Sequence, residues 1–114
     1  FRILVDKGAK TIIIPGSFNS TTGIDHSELL IRARALDNQV YTIGIAQARD
    51  YEAYYTSYAK SLIADPWGRV VNRLGIDEEI LIENLDMEIV DNIRKQLPIL
   101  KQRRFDLYTK TEII

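Results

Sequence analysis

Three isoleucines, Ile12 to Ile14, empty into PGSFNSTTGIDHSELL, residues 15–30. Small and hydroxyl side chains gather there just ahead of a helix, and loops at strand ends are where layered α/β proteins hold ligands. The stretch reads as one wall of a binding site. Glu28 and Arg32 stand four residues apart, a spacing that lets them pair on one helix face. The plainer alternative is a hydroxyl-rich turn that caps the next helix. His26 is the sole histidine and invites an acid–base role, but a structural histidine near a helix start is the simpler account.

What the chain lacks narrows the chemistry. It has no cysteine, which removes disulfides, thiolate nucleophiles and cysteine metal sites together. One histidine leaves too little for a metal centre or a serine–histidine–aspartate relay. No metal or other cofactor is therefore expected. A net charge of −1 argues against a nucleic-acid footprint across the surface. No apolar run nears the length of a membrane span, and the first residues lack the layout of a signal peptide. The expectation is a soluble, cytoplasmic protein without nucleic-acid or membrane partners.

The 114 residues suffice for one hydrophobic core but not two. With 46% hydrophobic and 27% charged residues, the composition is that of a globular domain rather than a disordered segment. FRILVDKG has Phe1, Leu4 and Val5 at helical spacing and closes on Gly8. A helix cut at its first turn, without an initiator methionine, suggests that Phe1 lies inside a longer parent sequence. Residues 11–14 predict a buried strand. Asp25 with Glu28 resembles a capping box that starts a helix over 25–37, with Asn38 as its stop and Leu29, Ala33 and Leu36 as its core stripe. Residues 40–46 predict a second buried strand, giving a βαβ-like alternation.

QARDYEAYYTSY suits a long surface loop. In SLIADPWGRVV two short β runs flank a proline–glycine turn, the clearest hairpin signal in the chain, with Trp67 packing on the turn. Residues 79–85 predict another strand, with Ile80 and Ile82 on one face. A helix over 87–96 is ended by Pro98. The remainder, LKQRRFDLYTKTEII, alternates charged and apolar residues and has no core of its own. No repeat, low-complexity tract or interdomain linker is visible.

Taken in order, PGSFNSTTG, HSELLIRARALDNQVY, ARD, SLIADPWG and PILKQRRFDLY resemble the C-terminal half of the nitrilase superfamily of carbon–nitrogen hydrolases, and within it the ω-amidase branch. Five ordered motifs between Lys7 and Tyr108 are far more specific than one short pattern. The resemblance implies an α/β (α+β) fold, the C-terminal half of a four-layer αββα sandwich. Residues 1–114 would then be the C-terminal part of a single carbon–nitrogen hydrolase domain, with 98–114 as an interface arm.

It also implies a chemistry. A glutamate base, a lysine and a cysteine nucleophile act at strand ends; the thiolate attacks an amide carbon, ammonia leaves, and water hydrolyses the thioester. None of the three can be assigned to a residue here. The resemblance puts all three upstream of Phe1, so these residues alone are expected to be inactive. What it assigns is the substrate wall. Phe18 would pack on the aliphatic part of the substrate, and Thr22, the second threonine of TTG, would hydrogen-bond its distal carboxylate. Glu28 and Arg32 would support that wall.

The implied substrate is the terminal amide of a small dicarboxylate monoamide such as 2-oxoglutaramate. A nitrile, an N-carbamoyl amino acid or deaminated glutathione are alternatives, as is a non-catalytic oligomeric binding module. Two positions depart from the family pattern. Ser27 stands where a bulky aromatic is common, and Lys60 where this branch commonly has histidine. The basic group Lys101, Arg103 and Arg104 reads as an interface arm rather than a nucleic-acid site, and Phe105 and Leu107 would be buried across a two-fold homodimer or higher homo-oligomer. Without upstream neighbours, open sheet edges and an uncovered apolar face are expected.

Overall fold

The computed structural model describes residues 1–111 and 113. The order of elements is α1 (Arg2–Asp6), β1 (Thr11–Pro15), α2 (Ser20–Thr22), a π turn (Gly23–Ser27), α3 (Glu28–Asn38), β2 (Tyr41–Ile45), β3 (Leu62–Ala64), β4 (Val70–Arg73) and α4 (Met87–Gln96). The fold is α+β, a mixed four-stranded sheet in the order β1-β2-β3-β4. Strands β1 and β2 run parallel with Thr11 opposite Tyr41 and Pro15 opposite Ile45. The crossover between them carries α2, the π turn and α3, and the next two pairings are antiparallel.

Alternation along the strands divides the sheet into two faces. One face presents Ile12, Ile14, Leu62 and Ala64 to α1 and α3, where Val5, Ile31, Ala35 and Val40 complete the packing. Burying an aliphatic side chain of this size contributes about 1.5–3 kcal/mol. Gly44 makes the close approach possible: a Cβ there would sit 2.8 Å from Ile31. The buried Thr42 hydroxyl donates to the Ile31 carbonyl at 2.9 Å and ties strand to helix. The other face presents Tyr41 and Ile63 to Val90 and Met87 of α4 and to Leu81 and Leu85. That cover is incomplete, since Ile13 and Ile45 on the same face are 60% and 46% exposed.

The hairpin is built by its own turn. Asp65 accepts from the backbone N–H groups of Trp67 and Arg69, each at 2.9 Å, and Gly68 takes φ 80°, a conformation open to glycine without a side-chain clash. At the other end of the molecule, α1 closes on Gly8 at φ 100°. Leu100 of the C-terminal arm packs on the Val5–Ile12–Val40 cluster, and Arg103 pairs with Asp6 at 2.7 Å. Among the described residues no helix is long and apolar enough to cross a membrane.

Five sequence expectations need correction. Residues 79–85 form no strand, and Ile80 and Ile82 are 89% and 90% exposed. A strand needs a neighbour for its N–H and C=O groups, and no described strand pairs with this segment through its backbone: β4 reaches it only through the Asn72 side chain on Glu83, and Leu81 and Leu85 pack under the sheet. Asp25 is not a helix cap but lies inside the π turn, and the helical run is capped six residues earlier by Asn19. The core stripe of α3 is Ile31, Ala35 and Asn38, while Leu29 and Leu36 face outward with Trp67 around an open depression. Both sides of ELLIRARALDN are apolar, so periodicity could not choose; the small Ala35 and the space above Gly44 select the inner side. Asn38 lies within α3, and the helix stops at Gln39, which adopts φ 51°. Of the α1 stripe only Val5 is buried; Phe1 and Leu4 are exposed. The arm's last positions, 112 and 114, lie outside the described residues.

Candidate functional site

The parallel pair β1 and β2 ends at one edge of the molecule, and two loops meet there. The first begins at Gly16, whose N–H donates to the Ile45 carbonyl at 2.8 Å, and runs through Ser17 and Phe18 to Asn19. Asn19 then closes the turn: its side-chain oxygen accepts from the backbone N–H groups of Thr21 (3.0 Å) and Thr22 (2.8 Å). The same oxygen accepts from the Thr22 hydroxyl at 3.0 Å. A hydroxyl carries one proton, so the Thr22 proton is directed at Asn19 and only its lone pairs are free. Asn19 was not anticipated as a site residue. An asparagine ahead of Ser-Thr-Thr is a helix-start signal, and it was obscured by the acidic pair that follows.

The second loop is closed across the chain. Arg49 donates from Nε to the Ser57 carbonyl and from Nη2 to the Tyr58 carbonyl, both at 3.1 Å, while its own N–H donates to the Ile76 carbonyl at 2.7 Å. Tyr58 in turn donates its N–H to the Phe18 carbonyl at 2.8 Å, and the Tyr55 hydroxyl donates to the Ser17 carbonyl at 3.0 Å. The two loops are thereby joined. Gly23 is required where they touch: a Cβ there would come within 2.1 Å of the Tyr58 ring.

Between the loops lies a small apolar cleft of about 30 Å³, lined by Ile14, Phe18, Ser27, Ile31 and Ile45 with Lys60 at its rim. It adjoins a larger cavity of about 220 Å³ bordered by Gln47, Lys60, Leu74, Asp77 and Glu79. Phe18 is part of the lining of the cleft at the strand ends. Thr22 is not part of that lining. His26 is exposed in the π turn, away from the cleft lining. Ser27, small where an aromatic was expected, is buried and forms part of the cleft floor.

Glu28 and Arg32 do meet, at 3.3 Å, but they face the hairpin rather than the loop. Glu28 also pairs with Arg73 of β4 at 2.9 Å, and Arg32 Nε donates to the Gly68 carbonyl at 2.7 Å. Half-exposed pairs of this kind contribute about 0–1 kcal/mol each; the firmer tie is the bond to the Gly68 carbonyl. Among the described residues no group of three His, Cys, Asp or Glu side chains could hold a metal ion.

A strand-end cleft behind a parallel crossover, with a Phe-Asn-Ser-Thr-Thr-Gly loop as one wall, is the arrangement that known proteins can be set against. Residues 1–95 match the carbon–nitrogen hydrolase family. This chain belongs to that family. It is 47% identical over 108 residues to the omega-amidase NIT2 of Mus musculus, covering 95% of this chain and 39% of that protein. The solved structure of Saccharomyces cerevisiae Nit3, a member of branch 10 of the nitrilase superfamily, superposes with a TM-score of 0.86 at 41% identity, over 91% of this chain and 38% of that one. The C. elegans NitFhit protein superposes with a TM-score of 0.85 at 34% identity, over 94% and 27%. This chain thus spans 39% of the omega-amidase, 38% of Nit3 and 27% of NitFhit, and its architecture is a part of the nitrilase-superfamily fold.

Proposed function

We propose that these residues form the substrate-side wall of an ω-amidase-like carbon–nitrogen hydrolase. Its substrate would be a small dicarboxylate monoamide such as 2-oxoglutaramate, cleaved at the terminal amide with release of ammonia. The observation that carries the reading is the position of Phe18 on the cleft at the ends of β1 and β2, in a chain so similar to omega-amidases.

The chemistry divides between what is here and what is not. The 114 residues contain no cysteine, so the thiolate that attacks the amide carbon comes from outside them, together with the glutamate base and the lysine. The nitrogen leaves as ammonia, and water cleaves the thioester. Within this chain, Phe18 covers the methylenes of the substrate and excludes water from them. Thr22, outside the cleft lining of this chain by itself, would donate a hydrogen bond to the distal carboxylate by exchanging its bond to Asn19 for a charge-assisted one. That exchange is favourable by about 1 kcal/mol, the difference between a neutral and a charged acceptor. The backbone N–H groups of Thr21 and Thr22 stay capped throughout, so the turn persists.

Steady-state kinetics test this reading on the protein that carries these residues with a reactive cysteine. Thr22→Val is expected to raise KM for the carboxylated amide by about tenfold, one charge-assisted hydrogen bond, with kcat little changed. An unaltered KM would remove Thr22 from the site. The 114-residue chain alone is expected to release no ammonia. In the same reading Phe105, Leu107 and Tyr108, all exposed on the arm, are the contact of a homodimer, and sedimentation of the whole protein with Leu107→Asp would weaken it. A non-catalytic oligomeric module is the second reading, favoured by the absent cysteine; it predicts dimers and no amide turnover.

A further inference from the structure

Ser27, Ile31 and Ala35 follow one another at four-residue spacing, so their side chains share one helix face. Ile31 and Ala35 close the core against β3. Ser27, one turn nearer the strand ends, is buried as well, at 8% exposure, and stands on the floor of the small cleft beside Phe18. Its backbone is helical, φ −57° and ψ −63°, and its hydroxyl makes no capping bond. Nor does that hydroxyl bond any other group among the described residues. The polar side-chain atoms that are both unbonded and sealed from every surface belong to Asn38, Gln39 and Arg103. The Ser27 oxygen is not one of them, so it opens onto the cleft. A hydroxyl held without a partner among apolar groups is unfavourable, and the partner it calls for is not supplied by these residues.

The other polar side chains of the lining are already engaged. The Ser61 hydroxyl accepts from the Ala46 N–H at 3.0 Å and donates to the Ala46 carbonyl at 3.1 Å. Lys60, left-handed like Ala59 at φ 60° and 62°, holds its ammonium over the Tyr58 ring, 5.1 Å from the centroid. Beneath them β1, β2 and β3 spend their backbone groups on one another. Among the described residues Ser27 is therefore the one polar side chain of the cleft with a proton to give. Volume decides what can meet it. About 30 Å³ is room for about one or two water-sized groups, too little for a ring or for a whole substrate. A lone water would need about two to four polar partners and finds one side chain. An oxygen atom carried in on an apolar chain needs only that one.

We infer that Ser27 is a specificity-determining residue, its hydroxyl hydrogen-bonding a single oxygen substituent, oxo or hydroxyl, on the acyl chain whose methylenes rest on Phe18. The inference rests on the amidase reading and deepens it: the site sorts amides by the substituent on their chain and not by their carboxylate. A bulkier side chain at position 27 would fill the cleft and abolish the selection.

The test uses the catalytically complete protein and three monoamides of equal length, glutaramate, 2-oxoglutaramate and 2-hydroxyglutaramate. Ser27→Ala keeps the space and removes the hydroxyl. It is expected to raise KM for the oxo or the hydroxy amide by about tenfold, one hydrogen bond lost in a desolvated cleft, and to leave glutaramate unaffected. Whichever of the two responds identifies the substituent. Ser27→Thr, which keeps a hydroxyl, should retain the preference. Thermal unfolding separates this from a structural role. With no bond to lose, Ser27→Ala should be as stable as the unmodified protein or more so, and a marked loss of stability would assign the hydroxyl to the fold and overturn the proposal. Equal effects on all three amides, or none, overturn it too. Should the unmodified protein cleave none of them, the amidase reading fails, and calorimetric titration with 2-oxoglutarate, 2-hydroxyglutarate and glutarate decides this one separately. Tighter binding of an oxygen-bearing acid that disappears in Ser27→Ala upholds it; a preference that persists there, equal binding of all three, or no binding removes it.

Discussion

The loop after β1 is closed within four residues of itself, whereas the loop after β2 is closed by an arginine reaching eight and nine residues along the chain. In the first, one Asn19 oxygen collects two backbone N–H groups and a threonine hydroxyl. In the second, the Arg49 guanidinium collects the carbonyls of Ser57 and Tyr58 and so supports two left-handed residues. A local cap can give up one partner and remain a cap. A tertiary clamp that holds strained backbone cannot, because the strain is released when any part of the clamp is lost. In the proposed amidase, the first loop is the one that exchanges hydrogen bonds with substrate, and the second is the fixed wall against which it does so.

The contrast can be broken most severely at the point where the loops touch. Gly23→Ala places a methyl group within 2.1 Å of the Tyr58 ring, and neither loop can move without losing its closure. A loss of about 3 kcal/mol, the upper range for overpacking, is expected in denaturant unfolding; a neutral result would show that the loops slide freely. Next in size, Arg49→Met leaves two carbonyls without their donor and should cost about 2 kcal/mol. Hydrogen exchange sharpens this case: the Tyr58 and Lys60 amides should lose protection, while those of Thr21 and Thr22 keep theirs.

Asn19→Ala is the reciprocal change and should cost about 1 kcal/mol, the usual value of a helix cap, with protection lost at Thr21 and Thr22 alone. The smallest effect lies away from both loops, in the arm. Hydrogen bonds from Lys110 and then Arg103 hold the Asp6 carboxyl below its ordinary range. Because the folded value is depressed, the arm's attachment is complete above the ordinary carboxylate range and is lost as pH falls through the lowered value. Side-chain NMR shifts of Lys110 and Phe105 should report that release in acid, and Asp6→Asn should abolish the transition. A persistence of the transition in Asp6→Asn would assign it to another carboxylate.

Legibility followed the range of the interactions. The strand ahead of PGSFN, the hairpin around DPWG and the helix over 87–96 were readable because each rests on neighbours in sequence: β-branched residues, an Asp-Pro-Trp-Gly turn, an Asp86 cap whose side chain accepts from the Glu88 N–H at 2.9 Å. Phe18 was named through the likeness of PGSFN to a family motif and not through local grammar; the structure puts it on the cleft lining. The inner face of α3 was not readable, because both of its sides are apolar and the choice falls to Gly44 on a strand six residues past the helix. Residues 79–85 misled in the opposite sense. Their alternation is that of a strand, yet alternation only proposes a partner, and among the described strands none pairs with their backbone.

The sequence by itself determined the elements with local grammar, the absence of a thiol among these residues and the family whose motifs they carry. Tertiary structure alone decided that Glu28 and Arg32 grip the hairpin, that Tyr58 meets the Phe18 carbonyl, and that Lys60 stands at the shared wall of two cavities. The reason is physical. Turns and caps are settled by hydrogen bonds between residues a few positions apart, whereas the direction of a charged side chain depends on carbonyls and clefts that exist only once distant strands have paired.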